Sequence, residues 1–416
     1  MQQHDAVAGL LPFCRHHEVG ECGSCPLFSV AYATQLAART EAAANTLAKV
    51  IGQSVWLPPV QSPVINIRNK AKMAVTGTID DPKLGLTTRV DLCDCQVYLP
   101  TIRAALSAIK QFITITQLQP YDLSPSKEKI TPAKARSRGE LKYAIVAAAP
   151  TGELMVSLVL RSTADLARIK SKLPWLQAKL PELKVFSVNI HPEHKATLLG
   201  DREIMLTDQT ALLMDLGVVQ LKLGPLSFFQ TNTGIAAQLY RTASAWVDEL
   251  PDIKSVWDLY CGVGGFALSL AKPGRQITGI ELSPEAIENA KATLSLEPPP
   301  HFASAVCNLA QNSRSTTTDT VKFIAEDATE FVLSGKESPP DMVIVNPPRR
   351  GIGEKLTNWL NNSNIPYVLY SSCNPTTLAS DLSQLTNYAV TKAQLFDMFP
   401  NTLHSEILTL LQRKTL

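Results

Sequence analysis

The sequence predicts an α/β protein, with a mostly parallel seven-stranded sheet over residues 226–416 and an α+β region before it. Three observations predict this. Short apolar runs recur at 255–259, 276–280, 321–324, 342–345 and 367–370, separated by helical patterns, as strands buried on both faces do. Two further runs, 393–396 and 407–411, have no helix between them and suit an antiparallel pair closing the sheet. The segment "WDLYCGVGGFALSLA" (257–271) reads as a strand, a glycine turn and a helix, the unit from which parallel sheets are built.

The preceding elements follow in chain order. Residues 1–100 carry Cys14, Cys22 and Cys25 in the spacing C-x7-C-x2-C, then a helix-like run over 28–51, short strands within 64–78, and Cys93 and Cys95. Residues 101–225 alternate helical and strand patterns, with strands at 143–149, 155–161 and 185–190. The Pro/Ser/Lys-rich stretch at 124–139 reads as a loop, and 297–320 reads as a surface insertion. Ser283 as N-cap, Pro284 at the first helical position and Glu285 in the first turn start a helix. The chain therefore divides at about 100 and 225.

Apolar residues make up 45% of the 416, which fits buried cores and excludes wholesale disorder. No run approaches the roughly 18 apolar residues of a membrane helix, and no secretory signal is legible. The expected setting is a reducing cytoplasm, where the eight cysteines read as thiols or metal ligands. Net charge is +2, so any nucleic-acid contact must come from local patches. Arg68, Lys70 and Lys72 would share one face of a strand, and a second basic run spans Lys127, Lys129, Lys134, Arg136, Arg138 and Lys142.

The chemistry-bearing residues fall at expected strand ends, where doubly wound sheets bind ligands. Gly262, Gly264 and Gly265 allow close backbone approach, and Glu281 is placed to accept hydrogen bonds from ribose hydroxyls. Asp327 is placed to reach an adenine edge. This order of glycines and acids resembles the Rossmann-like S-adenosylmethionine (SAM) methyltransferases. "VNPPRRGIG" puts Asn346 in a proline-stiffened loop, and an arginine follows where amine methylation wants an aromatic. Cys373 ends the fifth strand, and His404 and Glu406 approach the same edge. A thiolate adding to C6 of uracil turns C5 into a carbon able to attack a methyl group. A carboxylate such as Glu406 must then take the C5 proton. The thiol is expected to need nearby cations such as Arg349 or Arg350 to ionise.

The motifs "SFFQTN" (227–232), "DLYCGVGGF", "VNPPRRGIG", "YSSCN" and "LFDMFPNTLHSEILTLL" resemble the RNA uracil-5-methyltransferase family. "FCRHHEVGECGSC", "RNKAKM", "DLCDC" and "RGELKY" extend the likeness over nearly the whole chain. The resemblance is greatest to members acting on uracil 747 of 23S rRNA, with no TRAM-type barrel before the cysteines. It implies SAM contacts from Gln230, Tyr260, Glu281 and Asn346, with Cys373 as nucleophile and Glu406 as base. It also implies a [4Fe-4S] cluster on Cys14, Cys22, Cys25 and Cys95, with Cys93 as a neighbour. Spacing alone indicates a four-thiolate site and leaves zinc open. His16 and His17 are expected to flank this knot in solvent, and Phe228 and Phe229 to lie in the core. The protein is expected to work as a monomer on 23S rRNA. Three other readings are an amine N-methyltransferase without a role for Cys373, a zinc-holding RNA-binding protein and a nicotinamide oxidoreductase.

Overall fold

The computed structural model describes residues 13–87, 89–124, 138–194, 198–296 and 320–414. Residues 125–137 and 297–319 of the expected insertions, and with them Lys127, Lys129, Lys134 and Arg136, lie outside these residues.

The strands are β1 (Lys70–Gly77), β2 (Pro82–Gly85), β3 (Leu141–Ala148), β4 (Leu154–Leu160), β5 (Leu183–Ile190), β6 (Arg202–Met205), β7 (Leu212–Asp215) and β8 (Gln220–Leu223). There follow β9 (Ser255–Leu259), β10 (Gln276–Glu281), β11 (Val321–Ala325), β12 (Met342–Val345), β13 (Tyr367–Ser372), β14 (Tyr388–Phe396) and β15 (Glu406–Arg413). One sheet has the order β2-β1-β3-β4-β5-β6, so its first two strands come from before residue 100. Only β4 and β5 are parallel neighbours there, joined by the helix Leu166–Lys179. A two-stranded sheet, β7-β8, follows.

The seven-stranded sheet has the order β11-β10-β9-β12-β13-β15-β14. Its strands are parallel except β15, which runs against both β13 and β14. Strand order reverses between β9 and β12, the switch point at which such sheets bind ligands. The expected helix start at 284 is present, with the Ser283 hydroxyl accepting from the Ala286 N–H at 3.3 Å. Ala286, Ile287 and Ala290 face the sheet.

The N-terminal helix Tyr32–Leu47 packs on the outer face of this sheet, not on the six-stranded one. Leu36, Ala43 and Leu47 share a core with Trp257, Leu356 and Leu378. Each fully buried leucine there contributes about 1.5–3 kcal/mol. Residues 57–60 run beside β14, with the Leu57 N–H donating to the Ala393 carbonyl and the Val60 N–H to that of Leu395 (2.8 Å each). No helix among the described residues is long and apolar enough to cross a membrane.

Candidate active site

Register places the strand ends level. Leu259 pairs with Ile280 on one side and Val345 on the other, and Val345 pairs with Tyr370. Tyr260, Glu281, Asn346 and Cys373 therefore follow at one edge of the sheet. Tyr260 takes a left-handed conformation, φ 67°, which a bulky side chain adopts only where its surroundings enforce it. The turn continues through Gly264, φ 87°, where a Cβ would sit 2.8 Å from the Phe323 ring, so only glycine fits. The Glu281 carboxylate accepts from the Gly262 N–H at 3.2 Å and the Ser283 N–H at 2.9 Å, which fixes it at the mouth of the turn. Asp327 caps the helix Ala328–Leu333, one carboxylate oxygen accepting from the Thr329 and Glu330 amides.

The sequence reading missed Asp258. It is fully buried inside β9, and one carboxylate oxygen accepts from the Ala267 N–H at 2.9 Å. The other oxygen has no partner among the described residues. Burial, reinforced by Glu281, pushes its pKa up to about 7. The signal was a lone carboxylate within an apolar strand leading into the glycine turn.

Cys373 and Glu406 meet because β15 runs backwards. Ser372 pairs with Ile407, and continuing that antiparallel register sets Cys373 opposite Glu406, on one face of the sheet. The Ser371 hydroxyl, two residues before Cys373, donates to Glu406. Glu406 is 1% exposed, and burial pushes its pKa up to about 7 although the Ser371 bond favours the ionised form. Cys373 is half-buried. Burial and then the Glu406 charge raise its pKa, and the Arg349 charge offsets them only in part. The expected lowering by arginine is therefore outweighed: the thiol shares a poorly solvated edge with a like charge.

The loop after β12 is held against this pair. The Arg349 carbonyl accepts from the Asn374 amide at 3.0 Å and the Thr377 hydroxyl at 3.1 Å. The exposed Arg349 guanidinium lies 3.4 Å from Nδ1 of His404. Gln230 is buried beside Asn69, whose side-chain amide donates to the Gln230 carbonyl at 3.0 Å. This bond ties the start of β1 to the segment before the helix Thr233–Asp248.

Several side chains depart from expectation. Phe229 is in the core, but Phe228 is 72% exposed. It offers a bare ring two residues from Gln230. Lys142 is buried and donates to the His191 and Glu193 carbonyls, so it faces the interior and not a phosphate. Arg138 is bound to the Asp122 and Ser124 carbonyls. Lys70 is half-buried, donating to the Ser227 carbonyl at 3.2 Å, whereas Lys72 is exposed.

Cys14, Cys22, Cys25 and Cys95 are free, half-buried thiols. Burial pushes the Cys25 pKa up to about 11, with added contributions from Cys95, Cys22 and Cys14 that place the four in one neighbourhood. Cys95 is raised by burial and by the charges of Cys14 and Cys22. Cys93 is instead coupled to Asp91. Among the described residues no group of three or more His, Cys, Asp or Glu side chains is arranged to hold a single metal ion. His16, expected in solvent, is buried, with its ring nitrogens 2.8 Å from Asp94 and 3.2 Å from Glu21. His17 is half-buried against Ser29.

Comparison with known proteins gives concordant results. The sequence profile described as tRNA (Uracil-5-)-methyltransferase matches residues 149–414. The chain is 42% identical over 406 residues to the 23S rRNA (uracil(747)-C(5))-methyltransferase RlmC of Escherichia coli O7:K1, covering 96% of this chain and 100% of that one. The protein of the same description from Escherichia coli O6:H1 is 42% identical over 403 residues, covering 96% and 99%. Among solved structures, the tRNA (uracil-54, C5)-methyltransferase of Pyrococcus abyssi in complex with S-adenosyl-L-homocysteine superposes with a TM-score of 0.70 at 25% identity. That match covers 94% of this chain and 84% of the other.

Proposed function

Because the chain belongs to the tRNA (uracil-5-)-methyltransferase family, we propose that it transfers the methyl group of SAM to C5 of a uridine in 23S rRNA, at position 747, through a covalent bond between Cys373 and C6 of uracil. The observation that carries this reading is the Ser372–Ile407 pairing, one residue short of Cys373 and Glu406, together with the Glu406 charge acting on the Cys373 thiol. A nucleophile and a base are needed on one uracil ring, at adjacent carbons, and these side chains lie on one face of neighbouring strands.

Gln230, Tyr260, Glu281 and Asn346 would hold SAM, a reading supported at Glu281 and by its neighbour Asp258. Glu281 is oriented by two backbone amides, and the unpartnered oxygen of Asp258 calls for a donor from a ligand. When bound, SAM supplies an electrophilic methyl group. The protein's own residues do the rest. Cys373 gives up its proton to solvent, a loss the Arg349 charge favours, and its sulfur bonds to C6 while the C5–C6 π pair moves into an enolate with the uracil C4 carbonyl, making C5 nucleophilic. After methylation, Glu406 accepts the C5 proton, the electron pair restores the C5–C6 double bond, and the C6–S bond breaks. Its raised pKa, near neutrality, suits a group that must take up a proton and then release it. The target base must leave its stack to reach this edge, and Phe228 offers a surface for a displaced base.

In this reading Cys14, Cys22, Cys25 and Cys95 hold a [4Fe-4S] cluster within the first 100 residues. Their soft donor set suits iron–sulfur ligation, and a four-iron cluster spaces its thiolates more widely than one ion does. Residues 101–225 contribute to RNA binding and 226–416 form the catalytic domain. The protein acts as a cytoplasmic monomer.

The test uses 5-fluorouridine-containing 23S rRNA fragments with SAM. Fluorine at C5 cannot leave as a proton, so a protein–RNA adduct that survives denaturing electrophoresis is expected. Cys373→Ser abolishes it. An adduct that persists in that variant refutes the assignment.

A further inference from the structure

We propose that Arg39, on the N-terminal helix, is a positioning residue for Glu406, acting through a buried ion pair with Asp397; this rests on the reaction proposed above. β14 ends at Phe396 and β15 begins at Glu406, so residues 397–405 form a nine-residue connection too long to be a tight turn. Inside it the Thr402 N–H and hydroxyl donate back to the Phe399 carbonyl and the His404 N–H to the Thr402 hydroxyl, and these local bonds stop short of Glu406. The point where β15 begins decides whether the Glu406 carboxylate stands opposite Cys373.

One face of the helix Tyr32–Leu47 supplies what the loop lacks. Positions 32, 35 and 39 share that face. The Arg39 guanidinium donates to both oxygens of Asp397, at 2.6 and 2.8 Å, and to the carbonyl of His404 at 3.2 Å, two residues before Glu406. The Tyr32 hydroxyl donates to the same carboxylate at 2.8 Å. The Gln35 amide donates to Asn401 Oδ1 at 3.1 Å and its carbonyl accepts from the Asn401 N–H at 3.0 Å. Asn401 is left-handed, φ 65°, a conformation that these bonds hold. Arg39 is 6% exposed and Asp397 fully buried, so the pair is not a solvent-screened surface contact. The strap continues to the cysteine segment: the Leu27 N–H donates to the Asn401 carbonyl at 3.1 Å, two residues after Cys25.

The full-length protein with Arg39→Met tests this. Three quantities are measured: S-adenosylhomocysteine affinity by calorimetry, adduct formation on 5-fluorouridine RNA, and single-turnover product release on ordinary uridine RNA. Affinity and adduct formation are expected to stay within about threefold of wild type. Product release should fall by about thirtyfold or more, with a covalent complex accumulating on ordinary RNA, because only the proton-removing step is displaced. Arg39→Lys should recover part of that rate, keeping the charge without the two-oxygen grip.

Product release within about threefold of wild type, or all three quantities falling together in folded protein, overturns the proposal. If Arg39→Met does not fold, Tyr32→Phe is read instead. It removes one bond to the same carboxylate and should give the same pattern at about threefold, and unchanged release overturns the proposal. A wild-type protein that forms no adduct refutes the covalent reaction, and the positioning role with it. A normal wild-type adduct with unaffected variants refutes the positioning role alone.

Discussion

Replacing Glu406 by glutamine separates its catalytic duty from its cost to the fold. The carboxyl group is 1% exposed, and its pKa rises from 4.5 to about 7, chiefly through burial. At about 1.4 kcal/mol per pH unit this difference amounts to roughly 3 kcal/mol. The sign follows from linkage. Below pH 4.5 the group is protonated whether the chain is folded or not, and it costs nothing. Above about 7 the folded protein must hold a buried carboxylate, and the full penalty applies. Glu406→Gln should therefore be more stable than wild type by about 3 kcal/mol at pH 8 and equally stable near pH 4. Denaturant unfolding at several pH values, with an unchanged m-value, measures this directly. The proton-removing step should move the other way: release of methylated RNA from preformed covalent complex of the wild type rises with pH up to about 7 and then levels. The variant should release product about 10²–10⁴ times more slowly and accumulate covalent complex. Parallel stability curves, or turnover within about tenfold of wild type, would refute the reasoning.

Two further outcomes can be checked with simple variants. Phe228→Ala should change stability by less than about 0.5 kcal/mol, since the ring is 72% exposed. It should weaken binding of the rRNA fragment in a filter assay by about 1–3 kcal/mol if a base stacks there, and unaltered binding removes that role. Cys95→Ser should lower iron and sulfide content and the broad visible absorption of anaerobically purified protein, whereas Cys93→Ser should not. Equal loss from both variants would break the ligand assignment.

The sequence carried the parts of the site that are local in the chain. The turn at Gly262–Gly265, Glu281 at the end of its strand and the Ser283 cap each follow from spacing over a few residues. The six-stranded sheet was less legible, because β1 and β2 lie before residue 100 and pair with β3 across a long separation. Phe228 and Phe229 are indistinguishable by residue type, and only the folded structure separates core from surface. The buried His16 and Lys142 also escaped notice, since their partners lie on other segments.

What the sequence determined by itself is the succession of strands and the residue types at their ends, since backbone propensity and short apolar runs act over neighbouring positions. What only the tertiary structure decided is the antiparallel insertion of β15 between β13 and β14. That pairing brings residues 373 and 406 onto one face, and the grip of residue 39 on residue 397 spans most of the chain. Both are contacts between distant segments that no local pattern encodes, so the proximity of thiol and carboxylate is a property of the assembled sheet.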